Sequence, residues 1–221
     1  SKENIGIMHK TSKYGDIVVD DVIIDEKGEA ISNKSKGIYK TITFKDVTDK
    51  DNFKKVESVF IDCFKDLMKR LQIKDDATCL IIGLGNEKST PDSLGPQVVD
   101  NILVPKYWFD LGEVEEGYRN TSSFKPSVTG VTGIETKKLI EGIVNVTKPD
   151  FLIIIDALAS SSIDRVNKTI QMTDAGILPG SGVGNSREGI NKDTFSIPVI
   201  AIGVPTIVDA VTIVSDTFKY M

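Results

Sequence analysis

Two aspartates stand beside strand-like apolar runs, in settings that suit acid–base hydrolysis. Asp92 lies in Gly83-Leu84-Gly85-Asn86-Glu87-Lys88-Ser89-Thr90-Pro91-Asp92-Ser93-Leu94-Gly95-Pro96, just after Cys79-Leu80-Ile81-Ile82. Asp156 directly follows Phe151-Leu152-Ile153-Ile154-Ile155. Two carboxyl groups a few ångströms apart cannot both ionise easily, so such a pair holds one shared proton. The ionised member takes a proton from water while the protonated one polarises a carbonyl, which splits an amide with neither metal nor covalent intermediate. Each residue also has a purely structural reading. An acid in a first helical turn favours the macrodipole, which would explain Asp92. Asp156 would make a good N-cap for a helix after its strand. Spacing by itself leaves both readings open.

Little other catalytic equipment is present. The chain has one histidine, His9, and two cysteines, Cys63 and Cys79. Serine and cysteine hydrolases need an imidazole to shuttle the proton. His9 sits in a polar N-terminal stretch and is expected on the surface, and no Gly-x-Ser-x-Gly elbow occurs. A histidine-rich zinc site is excluded by the same count. The cysteines are too few for a disulfide scaffold or a four-thiolate site and are expected as reduced core thiols. Gly83-x-Gly85 follows a strand, but the third glycine of a dinucleotide loop would fall at Lys88, and no P-loop pattern exists. Neither a cofactor nor a resident metal is implied. A net charge of −5 does not indicate a surface for nucleic acid. With no leader and no apolar run near the ~20 residues that span a bilayer, the reading is cytoplasmic and free of membrane. Asn86, and Ser181 and Asn185 of the glycine-dense stretch Leu178–Asn185, are either turn residues or contacts to a substrate backbone.

The elements that must position these residues alternate. Residues 1–48 read as β-rich: Ile17-Val18-Val19 and Val22-Ile23-Ile24, a turn at Glu26-Lys27-Gly28-Glu29, and an alternating run at Tyr39–Phe44. From residue 49 the period becomes helical. Phe53, Val56, Phe60, Phe64, Leu67 and Leu71 fall three or four apart, which predicts an amphipathic helix of about five turns with these residues inward. Strands are predicted at Ala77–Ile82, Phe151–Ile155, Thr169–Met172 and Pro198–Val204. Helices are predicted from Thr90-Pro91 (burying Val98, Val99, Ile102 and Leu103), at Glu135–Val146, from Asp156 to Val166, and at Thr206–Tyr220. Gly112–Gly130 reads as loop, with Glu113–Arg119 solvated. The expectation is an α/β fold with a mostly parallel central sheet flanked by helices and a β-rich N-terminal arm or lobe over 1–48. Residues 49–221 would form the catalytic domain. The last helix meets no stop signal before Met221, so more polypeptide is expected beyond it.

Several long words resemble one family. They are Gly83-Leu84-Gly85-Asn86 with Thr90–Pro96, Glu115-Glu116-Gly117-Tyr118-Arg119, Gly130-Val131-Thr132-Gly133-Ile134-Glu135-Thr136, and Lys148–Phe151 with Ile155–Ala159. Pro179–Asn185 and Ile197–Thr206 with Val208-Asp209-Ala210 complete the set. Together they are similar to the germination protease of endospore-forming bacteria, densely from about Ala77 onward and less before Asp49. The resemblance implies an atypical aspartic endopeptidase of the spore core that degrades small acid-soluble spore proteins during germination. Its two acidic catalytic positions fall on Asp92 and Asp156. It also implies a homotetramer, a zymogen that loses a short N-terminal propeptide, and a further C-terminal region. The fold it implies is also similar to hydrogenase-maturation peptidases and phosphorylase-like proteins. Two rival functions stay open: a non-catalytic relative that binds spore proteins, and a metal-dependent maturation-type endopeptidase.

Overall fold

The computed structural model describes residues 2–114, 116–178 and 189–208. In chain order the first elements are β1 (Lys2–Asn4), β2 (Ile7–Tyr14), β3 (Ile17–Ile24), α1 (Glu26–Ile31), β4 (Gly37–Thr43) and α2 (Lys50–Arg70). Next come β5 (Cys79–Gly83), a 3-10 turn at Thr90–Asp92, α3 (Leu94–Asn101), α4 (Lys106–Leu111), β6 (Thr121–Phe124) and α5 (Thr129–Thr132). The last are α6 (Thr136–Thr147), β7 (Phe151–Ser160), a 3-10 turn at Ile163–Arg165, β8 (Thr169–Thr173), α7 (Lys192–Phe195) and β9 (Val199–Val208). They divide into two compact units, one drawn from residues 2–71, 158–175 and 203–208, the other from 72–157, 176–178 and 189–202.

In the first unit the strands follow the order β1-β2-β3-β4-β8, and each of these neighbours pairs antiparallel. The cause is local. Tyr14 pairs with Ile17 across Gly15-Asp16, and a two-residue connection can join only antiparallel strands. Gly15 supplies the positive φ of +62° that the turn requires. Helix α2 begins at Asp49, whose carboxylate accepts from the Asn52 amide at 2.8 Å. Its buried stripe is Val56, Val59, Cys63 and Leu67. The predicted phenylalanine stripe is only partly right. Phe53 is 52% exposed, and Phe60 and Phe64 stack on each other with ring centroids 6.2 Å apart. Lys40 of β4 is buried, with its ammonium 2.8 Å from Asp21 and 2.7 Å from Asp66. Arg70 closes the network on Asp21 and Asp66, at 2.7 and 2.9 Å. The predicted turn at Glu26–Glu29 is instead the start of α1, because Asp25 accepts from the amides of Lys27 and Gly28 and caps it.

In the second unit the first half of β9 lies beside β7, β7 beside β5 and β5 beside β6. The β5–β6 and β5–β7 pairings are parallel. Leu80, Ile82, Leu84, Ile140, Leu152, Ile154, Ile190 and Val199 form the core, which is why β5 and β7 read as continuous apolar runs. The mixed α/β class is as expected. The mostly parallel sheet is not: β1, β2, β3, β4 and β8 pair antiparallel, and β5 pairs parallel with β6 and β7, where helices cross over between strands.

Three further expectations change. The chain from Asp156 to Val166 is not a helix. Strand β7 continues through Asp156 to Ser160, and only a 3-10 turn follows at Ile163–Arg165. Pairing overrides the helical preference of Ala157-Leu158-Ala159, and the Leu158 side chain fills the space over Gly203 of β9. The predicted helix at Thr206 is still strand as far as Val208, in keeping with its β-branched residues; its remainder lies outside the described residues. The predicted loop Gly112–Gly130 contains β6, whose Thr121-Ser122-Ser123-Phe124 carries no alternating apolar signal. Among the described residues no helix is long and apolar enough to cross a membrane. Both cysteines are free and buried, as expected, and burial pushes the Cys79 thiol up to about 12. His9 is half-exposed on β2 and meets the Asp20 carboxylate at 2.8 Å.

Candidate active site

Strands β5 and β7 run in parallel register from Cys79↔Phe151 to Gly83↔Ile155. One more bond follows, from the Leu84 amide to the Ile155 carbonyl at 2.8 Å. The chain then turns away at Gly85, whose φ of +114° is glycine territory. Asp156 is the next residue of β7, so it sits where its neighbour strand has departed. The order β9-β7-β5-β6 sends β5 onward to one side and β7 to the other. The crevice at their carboxyl ends is therefore a topological switch point, the usual place for a site in such sheets.

Asp92 enters from the loop after β5. The Asn86 amide donates to the Asp92 carbonyl at 3.0 Å and to its carboxylate at 2.9 Å. The Ser89 amide donates to the Asn86 carbonyl at 3.0 Å, and the Asp92 amide to the Ser89 carbonyl at 2.8 Å. These bonds curl the loop back on itself, and Pro91 fixes the backbone of the 3-10 turn. The helix expected from Thr90 starts later, at Leu94. Asp92 therefore lies ahead of it rather than inside its first turn. Asp156 is within a strand, and its carboxylate accepts from the adjacent Ala157 amide at 2.9 Å. Asp156 caps no helix, and Asp92 closes the 3-10 turn ahead of α3, where its carboxylate also holds the Asn86 amide.

The two carboxyls feel each other. Asp156 is 8% exposed, and burial, followed by the negative charge of Asp92, pushes its pKa up to about 7 against the pull of the Ala157 amide. Burial also raises Asp92 above the ordinary carboxylate range, partly offset by the Asn86 amide. Carboxyls that interact can share one proton, which makes one a hydrogen-bond donor and the other a base.

Of the other predicted contacts, Asn86 is at the site through its backbone, while its side chain accepts from the Lys88 amide at 3.0 Å. Ser181 and Asn185 lie outside the described residues. Sequence reasoning missed Lys125, which follows β6 at the same end of the sheet and pairs with Asp100 at 2.7 Å and Glu87 at 3.5 Å. Without β6 in view, nothing marked its position. Arg119, expected in a solvated loop, instead donates to the carbonyls of Lys74 and Ala77 at 2.9 and 2.7 Å and lies over the Phe151 ring.

Comparison with known proteins gives a consistent result. Residues 1–221 match the family described as germination protease. The chain is 48% identical over 225 residues to the germination protease of Bacillus subtilis (strain 168), covering 100% of this chain and 61% of the relative. It is 51% identical over 224 residues to the germination protease of Bacillus licheniformis, with 100% and 61% covered. Against the germination protease of Bacillus pumilus the identity is 49% over 220 residues, with 98% and 59% covered. The chain thus spans about three-fifths of the length of the curated relatives it matches.

Proposed function

The chain belongs to the germination protease family, and on that premise we propose that it is the endopeptidase that initiates degradation of small acid-soluble spore proteins during germination. Asp92 and Asp156 share one proton and activate water. The observation that supports this reading is the placement of a buried Asp156 at the carboxyl end of β7, beside β5, with Asp92 on the turn that follows β5. The more buried Asp156 holds the proton and polarises the scissile carbonyl. Asp92, stabilised by the Asn86 amide, takes the proton of the attacking water. The Asn86 segment, with Ser181 and Asn185, contacts the extended substrate backbone.

The wider expectations belong to the same proposal. They are a homotetramer in the cytoplasm of the spore core, made as a zymogen. The β-rich residues 1–48 form an N-terminal segment, and residues 49–221 form the α/β catalytic part, akin to hydrogenase-maturation peptidases. A polypeptide of the relatives' full length is the form to test. Asp92→Asn and Asp156→Asn are each expected to slow cleavage of a purified small acid-soluble spore protein by about 10²- to 10⁴-fold, the usual worth of acid–base catalysis. Undiminished cleavage by either variant removes that residue from the mechanism. Binding without cleavage by the propeptide-free parent would favour a non-catalytic relative, and loss of activity to a chelator would favour a metal-dependent one.

A further inference from the structure

The residues that follow Asp92 make backbone contacts with no space for a side chain. Gly95, the second residue of α3, is buried. A Cβ there would lie 2.5 Å from the Ile155 carbonyl oxygen and 2.5 Å from the Leu84 amide nitrogen, and would also strike the Leu84 carbonyl. Leu84 and Ile155 are the residues that make the last bond between the β5 and β7 segments. Gly83 lies in the same contact, where a Cβ would come within 2.9 Å of Val99 Cγ2 and 2.5 Å of the Gly95 carbonyl carbon. Three backbones therefore meet directly: the end of β5, the end of β7 and the first turn of α3.

Ser93 joins this contact to the catalytic turn. It is 3% exposed. Its hydroxyl donates to the Thr90 carbonyl at 2.9 Å and accepts from Gln97 Nε2 at 2.6 Å. One hydroxyl thus ties the turn that carries Asp92 to the body of α3. Asp156 is covalently next to Ile155, the residue on which Gly95 rests.

We infer that Gly95 and Ser93 are positioning residues for the carboxyl pair: Gly95 sets how closely the turn bearing Asp92 approaches the end of β7, and Ser93 locks that turn to α3. The inference rests on the pair proposed above. Both act through Asp92 and Asp156 rather than on substrate. A methyl group at Gly95 must push α3 outward and carry Asp92 with it, and a misplacement of about 1 Å costs roughly 10²-fold in rate.

The test uses the full-length protein with Gly95→Ala, Ser93→Ala and, as control, Gly142→Ala, an α6 position with open space around it. In each background the Asp156 carboxyl is titrated by carbon-detected NMR with and without Asp92→Asn, and kcat and KM are measured on a spore-protein peptide. In the parent, Asp92→Asn lowers the Asp156 midpoint. With Gly95→Ala that shift shrinks and kcat falls about 10²-fold at little-changed KM. Ser93→Ala moves both in the same direction by less, and Gly142→Ala moves neither. Folded Gly95→Ala and Ser93→Ala proteins that keep the parental shift and kcat overturn the inference. Should Gly95→Ala fail to fold, Ser93→Ala, which adds no atom, decides alone. If Asp92→Asn leaves the parental Asp156 midpoint unchanged, the pair itself is refuted, an outcome separate from the first.

Discussion

The Asn86 amide is shared between the carbonyl and the carboxylate of Asp92, at 3.0 and 2.9 Å. A hydrogen bond from a backbone N–H favours the charged form of a carboxyl. Asp156 likewise accepts from an amide, that of Ala157, but its deeper burial, with the neighbouring charge, favours its proton more strongly. The proposed mechanism accordingly rests the proton on Asp156. Cleavage should therefore decline as pH rises through about 7, where Asp156 loses its proton. A kcat profile that stays flat from mildly acidic to alkaline pH would contradict the assignment of Asp156 as the acid.

The same titration has a stability consequence. The folded pKa of Asp156, about 7, lies above its ordinary value of 3.8, so the folded state holds the proton more tightly than the unfolded state. That stabilisation is complete below the ordinary value and is lost as pH rises through about 7. Asp156→Asn, which never ionises, should match the parent near the acid end of the window. At alkaline pH it should exceed the parent by on the order of 1–3 kcal/mol. Urea unfolding of both proteins at acidic and alkaline pH checks this, and a gap that does not widen with pH would be inconsistent with it.

Much of this arrangement is legible in the residues. The runs Cys79–Ile82 and Phe151–Ile155 announce buried strands; the second ends directly at Asp156, and the loop after the first leads to Asp92. The cap at Asp49 and the period from Val56 to Leu67 announce α2. What escapes is set by partners distant in sequence. Nothing local reveals that β7 continues past Asp156, because Ala157-Leu158-Ala159 prefers helix until a neighbouring strand holds it. Burial of Phe53 is equally undecidable from its spacing; it follows from which side of α2 faces β4. Gly95 stands directly before Pro96 at a helix start, and its local sequence does not mark the close contact it makes. The identity of the approached residues, Leu84 and Ile155, required the fold.

Lys40 offers a test of the first unit. Its side chain is 4% exposed and neutralises Asp21 and Asp66. Lys40→Met would leave Asp21, itself 14% exposed, facing Asp66 with only Arg70 to offset them. Removing one partner of a buried ion pair costs about 3–5 kcal/mol. Because Arg70 remains, the expected loss is toward the lower end, read as a fall in the urea midpoint at constant slope. A loss below the measurement error would show that the network is redundant.

The cysteines should be chemically silent. Burial lifts the Cys79 thiol to about 12 and raises Cys63 as well, and the thiolate is the reactive form. Neither is expected to react with a disulfide reagent at pH 8 until denaturant is added, after which both should. Rapid labelling of the folded protein would show that one of them becomes accessible.

Asp156 belongs to a strand whereas Asp92 rides on a curled loop, and the two are therefore open to change in different ways. A slip of one residue in β7 would turn the Asp156 carboxyl to the opposite face of the sheet, so neither insertion nor deletion is permissible along that strand. The turn from Asn86 to Asp92 is held instead by its own amides and carbonyls, through Ser89, so the side chains of Glu87 and Lys88 can vary while those backbone bonds stay in place. Substitutions that leave both carboxyls in place should accordingly be tolerated at Glu87 and Lys88 and not along β7.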